Sequence, residues 1–205
     1  MPERTAEVGE TRPLVIGLRL LVASLLLLAF AHFHGRALIE LLLPLFHWEI
    51  GWLDDRYRIL ALGVIQSGAD SVVRLDVSLQ RIVVVGGQVI FPDPRGQAYV
   101  TTLTGHVLQP AILFATLLAA WPVTAWRVYA MRIAVGLPLL LALLMADVPC
   151  VLLGELWAIF AERYAPQEFF ILLAWKDFLQ GGGRLALGLV AGVATIVVAQ
   201  RLTLR

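Results

Sequence analysis

Four long apolar runs, at residues 14–33, 106–123, 133–153 and 185–200, constrain this chain more than any other feature. A helix needs about 20 mostly apolar residues to cross roughly 30 Å of hydrocarbon. Within lipid every backbone N–H and C=O must be satisfied inside the segment, so such runs fold as helices. Of the 205 residues, 60% are hydrophobic and 15% charged, against about 45–50% and 25% in an ordinary soluble domain. The expected fold is therefore a membrane protein, mainly α. It has about four transmembrane helices and a small antiparallel β-rich extracytoplasmic segment between the first and second.

The first run, "LVIGLRLLVASLLLLAFAHF", tolerates Arg19 near its start, because the side chain can stretch toward the headgroups. A cleaved signal peptide competes with an anchor here, since Ala29-Phe30-Ala31 has the small-residue pattern of a cleavage site. The preceding arm mixes Glu3, Glu7 and Glu10 with Arg4 and Arg12, and the apolar run is long, so the anchor is the expectation. The second run opens with Pro110 near its first turn, where a missing N–H is tolerated. The fourth carries Gly188 and Gly192, a small-residue face continued by Thr195 and Ala199 that lets another helix approach closely. "FFILLAW" at 169–175 is too short to cross and reads as an interfacial or re-entrant piece.

Orientation follows from arginines in short loops. The loop at 124–132 carries Arg127 and Arg132 without an acid, whereas 154–184 carries Glu155, Glu162 and Glu168. The first loop is expected in the cytoplasm. The arm at 1–13, with Arg4 and Arg12, and the tail at 201–205, with Arg201 and Arg205, fall on the same side. The expected location is a bacterial inner membrane, multi-pass, with both termini cytoplasmic. Trp121, Trp126, Trp157 and Trp175 then fall near span ends, where amphipathic rings settle.

Residues 34–105 have a different texture. "ALIELLLPLFHWEIGWL" is amphipathic enough to lie on a membrane surface, with Trp48 and Trp52 as anchors. In "SVVRLDVSL", Val73, Leu75, Val77 and Leu79 alternate with Arg74, Asp76 and Ser78, the period of a half-buried strand. "RIVVV", Gly86-Gly87 and "QVIF" read as a hairpin, the glycines supplying positive φ for a tight turn. Pro92 and Pro94 end that strand, "QAYVTTL" resumes an extended run, and "YRILALGVI" is a further strand candidate. Three to five strands are expected.

Chemistry is sparse. No phosphate loop, dinucleotide fingerprint, nucleophile elbow or paired zinc-ligand motif occurs, so no cofactor or metal is expected. His32, His34 and His47 fit no ligand spacing. A net charge of +1 argues against nucleic acid. Cys150 is the only cysteine, which excludes an intrachain disulfide. Gly181-Gly182-Gly183 reads as a flexible entry turn into the fourth span. Asp147 is the one acid set within an apolar run. It is expected to be neutral or hydrogen-bonded to a neighbouring helix, with Pro149 freeing backbone groups nearby.

The expected topology brings Cys150, His106 and Arg184 toward the outer face as catalytic candidates: a thiolate, a base and an anion-stabilising cation. This set resembles the exosortase and archaeosortase transpeptidases, which use Cys, Arg and His or Arg near the outer face of a helical bundle. Here the order is His, Cys, Arg. The layout as a whole is similar to the small membrane proteins of the exosortase H-associated type, which have one N-terminal span, an outer β-rich segment and a C-terminal set of spans. "LTGHVLQPAILFATLLAAWP" at 103–122 resembles their segment in which a polar-Pro pair opens a long apolar helix, with Gln109 where Asn is expected. That resemblance implies an accessory role without catalytic residues. The functional expectation is a non-catalytic membrane subunit, partnered by the lipid bilayer and other membrane protein subunits of a larger envelope complex for surface-protein sorting or export. A membrane thiol enzyme using Cys150, or a transporter or channel subunit using Asp147, are the alternatives.

Overall fold

The computed structural model describes residues 13–93, 95–123 and 125–203. Arg4, Arg12 and Arg205, the glutamates of the arm, and Pro94 lie outside them. The protein is mainly helical, with three helices long and apolar enough to cross a membrane and a small antiparallel sheet.

Helix α1 runs without a break from Pro13 to Leu53, about 60 Å at the helical rise. The apolar run at 14–33 and the amphipathic segment after it are thus one element, continuous through Ala29–Ala31 and through Pro44. Its two halves differ in environment. In the first, Leu14, Leu18, Leu25, Leu26 and Phe33 are all exposed, so this apolar surface is not covered by the rest of the described chain. In the second, Ile39, Phe46 and Ile50 are buried at helical spacing while Trp48 and Trp52 on the opposite side are exposed.

The buried side of that second half lies under a three-stranded sheet of order β1-β2-β5: β1 Tyr57–Ser67, β2 Asp70–Leu79 and β5 Ala98–Leu103, all antiparallel. Gly68, at φ 62°, makes the turn between β1 and β2. Val73, Leu75 and Val77 face inward, as the alternation of β2 requires, and join Ile39, Phe46 and Ile50 and Val148 and Leu152 of a later helix in one cluster. The Val83–Val85 and Gln88–Ile90 strands, β3 and β4, form a separate hairpin, with Gly86 and Gly87 at φ 56° and 75° in its two-residue turn. The sequence thus places the strands correctly, and the structure divides them into two sheets.

Helix α2, Thr104–Ala120, starts directly from β5. Its 17 residues make it shorter than the three long apolar helices. Helix α3, Trp126–Tyr164, extends well past both ends of the run at 133–153 and contains Pro138 and Pro149. "FFILLAW" contributes to a short helix, α4, Ile171–Phe178. A wide turn at Leu179–Gly183 follows, with Gly182 at φ 109°, and leads into α5, Arg184–Thr203. The wide turn is what the three glycines permit: a Cβ at Gly183 would collide with the backbone of Phe178.

The bundle of α2, α3 and α5 packs around Phe114, Leu143 and Ala191. Close approach depends on glycines. A Cβ at Gly136 would press on Phe114 and Thr195, and one at Gly188 would meet the Pro110 backbone.

Candidate functional site: a buried ion pair at the end of the bundle

The unusual acid of α3 has a partner. Arg184, the first residue of α5, donates from Nε to Asp147 Oδ1 at 2.8 Å and to Oδ2 at 2.9 Å. The side chains are 3% and 1% exposed. An isolated buried charge is prohibitively costly, and a pair is tolerated only when its geometry is good. The pairing fixes where α5 begins relative to α3, because the guanidinium can reach Asp147 only after the Leu179–Gly183 turn has redirected the chain. Arg184 Nη2 is buried and has no hydrogen-bond partner among the described residues. His106 lies in the first turn of α2.

The opposite end of the bundle has a second buried charge. Arg132, in α3, is 2% exposed and donates to Trp121 O at 2.9 Å, Pro122 O at 3.0 Å and Leu118 O at 3.5 Å. These carbonyls lie at or just past the C-terminus of α2, where the helix leaves its acceptors unsatisfied and carries partial negative charge, so a cation serves as the cap. Sequence reading takes Arg132 as a loop arginine; it sits within α3 and is turned inward.

The catalytic candidates Cys150 and His106 line different cavities. Arg184 is engaged by Asp147. His106 lines an open cavity of 600 Å³ with Arg36 and Asp70. Cys150 is partly exposed and lines another cavity, of 410 Å³, with Leu53, Asp54, Trp157 and Ile171. A nucleophilic thiolate needs a base or cation beside it. Neither His106 nor Arg184 is among the residues lining that cavity, and the charged groups that do line it, Asp54 and Arg56, pair with each other.

A constellation that the sequence does not signal closes the Cys150 cavity. Asp54, 4% exposed just past the end of α1, accepts from Arg56 Nε at 2.7 Å and Nη2 at 3.0 Å, and from Trp157 Nε1 at 2.9 Å. The Arg56 guanidinium lies 4.5 Å from the Trp157 ring centroid. The hydrogen bonds from Arg56 to Asp54 hold its pKa above the usual arginine value, and burial raises that of the Tyr57 phenol. Asp54 and Trp157 are far apart in sequence, so no local pattern announces the contact. The pair fastens the end of α1 to the C-terminal half of α3.

Gly188 and Gly192 both face α2: an added Cβ would meet Pro110 O at 2.9 Å and Leu117 Cδ1 at 2.7 Å, respectively. Among the described residues no group of three or more His, Cys, Asp or Glu side chains converges to hold a metal. His34 lies tilted against Phe30, and His32 meets Phe33 edge to face. No protein-family model matches the chain, and no curated protein and no solved structure matches it either.

Proposed function

We propose that the chain is an integral membrane protein of four spans, with the sheet and the ends of α1 and α3 forming an outer module that docks a partner of the cell envelope. In this reading it is a non-catalytic accessory subunit, and surface-protein sorting or export is the process it serves. The spans are the first half of α1, α2, the first half of α3, and α5. Arg132 and the Asp147–Arg184 pair mark the two ends of the slab.

One observation carries the docking role. Val83 and Val85 of the hairpin are buried against Trp157 and Ala165, so the hairpin is anchored to the end of α3. On its other face Val84 and Val89 are directly opposed across the strands and exposed, at 64% and 50%, with Ile82 and Phe91 exposed beside them. An outward apolar cross-strand pair is the sort of surface that binding covers. The hairpin packs at the end of α3 near Tyr164, 17 residues beyond Asp147, which is about 25 Å along the helix. In the proposed arrangement lipid does not reach it and a protein partner does.

The test is co-purification from the native host after mild solubilisation, comparing wild type with a Val84→Ser/Phe91→Ser variant. Wild type is expected to carry a stoichiometric envelope protein that the variant loses. Recovery of the wild type as a lone monodisperse monomer would refute the docking role.

A further inference from the structure

The 600 Å³ cavity lies between α1, the start of α2 and the β1–β2 turn, and its lining is graded. Along α1 it passes from Leu28 and Ala31 to His32 and then Arg36; along α2 it passes from Ile112 and Leu108 to His106. Residue numbers rise on one helix and fall on the other, so the two gradients point the same way. Asp70, from the start of β2, adds a carboxylate at the polar end. An apolar trough that ends in mixed charge has the polarity of a lipid lying with its chains along the bundle.

The polar end is equipped for two opposite charges. Arg36 Nε is held by Glu40 at 2.7 Å, which leaves both Nη groups without a partner among the described residues. An imidazole keeps at least one N–H donor in either protonation state, so His32 and His106 can each donate to an acceptor. Asp70 has no ion-pair partner among the described residues.

We propose that this groove binds a phospholipid with a primary-amine headgroup, an inference that rests on reading α1 and α2 as membrane spans. The phosphate is received by Arg36 with His32 and His106, the ammonium by Asp70, and an acyl chain by Leu28, Leu108 and Ile112. Asp70 disfavours a headgroup that is only anionic, because it would face that charge without a cation between. A quaternary ammonium offers it no N–H to accept. A free phosphate leaves the apolar trough unfilled.

The experiment titrates full-length protein in a non-ionic detergent with dioctanoyl forms of phosphatidylethanolamine, phosphatidylcholine and phosphatidylglycerol, counting bound lipids by native mass spectrometry. One phosphatidylethanolamine per chain is expected, bound about tenfold more tightly than the other two, the equivalent of one charge-assisted hydrogen bond. Arg36→Gln and Asp70→Asn should each weaken it about tenfold while Arg163→Gln leaves it unchanged, and glycerophosphoethanolamine, which lacks the chains, should fail to compete. Equal binding of the three lipids, unchanged binding in both variants, or full competition by the chainless headgroup would overturn the proposal. Alkaline extraction of native membranes separates this from the underlying reading. Release of the protein into the supernatant would remove the spans themselves, whereas a retained protein without lipid preference removes only the groove.

Discussion

At the scale of single residues, the energetics turn on Asp147 and Arg184. Each would be intolerable alone at 1% and 3% exposure, and each is bearable because the other is there. Removing one partner leaves an uncompensated buried charge, which costs about 3–5 kcal/mol, whereas replacing both with apolar side chains of similar volume is often neutral. Arg184→Met alone is therefore expected to lower stability by about 3–5 kcal/mol, and an Asp147→Leu/Arg184→Met double variant by less than about 2 kcal/mol. Denaturant unfolding in detergent micelles measures both, together with Asp147→Leu alone; a double variant whose loss equals the sum of the single losses would mean that the two charges are not coupled. The acid was legible in the sequence as an anomaly in an apolar run. Its partner was not, because Arg184 lies 37 residues away and reads equally well as an arginine at a span end.

At the scale of elements, the strands were the most legible part. The alternation of β2 and the Gly86-Gly87 turn are local signals, and local geometry obeys them. Helix lengths were less legible, because hydropathy does not distinguish apolar residues covered by lipid from those covered by protein. Val148, Val151, Leu152 and Leu156 prolong the apolar run of α3 and are buried within the folded chain. The glycines of α5 were legible as a packing face, and the structure ranks them. An added Cβ at Gly188 meets the backbone of Pro110, which cannot step aside without moving α2; at Gly192 it meets chiefly the terminal methyl of Leu117, which can rotate. Overpacking against a rigid neighbour costs about 1–3 kcal/mol, while Gly→Ala inside a helix returns about 0.5–1 kcal/mol. Thermal unfolding in detergent is expected to show Gly188→Ala less stable than wild type and Gly192→Ala within about 1 kcal/mol of it. The reverse order would mean that α2 and α5 do not meet at Pro110.

At the scale of the whole molecule, buried charge delimits the bundle. Arg132 and Asp147 lie on the same helix, 15 residues apart, or about 22 Å at the helical rise. That fits within the roughly 30 Å of a bilayer's hydrocarbon, so one membrane slab accommodates both levels. Between the two levels the bundle's packed cluster is apolar; beyond Asp147 the chain acquires strands, a surface-exposed Trp48 and Trp52, and the ion pair of Asp54 with Arg56. In the proposed membrane reading the apolar, uncovered first half of α1 meets lipid, and the sheet with its charged side chains stands clear of it. The arrangement makes sense if the slab between the two charged levels is the membrane and the rest stands outside it. In a Cys150→Ser background, a cysteine at Gln88, exposed at the start of β4, is then expected to react with an impermeant maleimide in intact cells, and one at Tyr129, near the start of α3, only after the membrane is permeabilised. Labelling at Tyr129 but not Gln88 in intact cells would turn the molecule over in the membrane, and prompt labelling at both would deny that α3 separates two compartments at all.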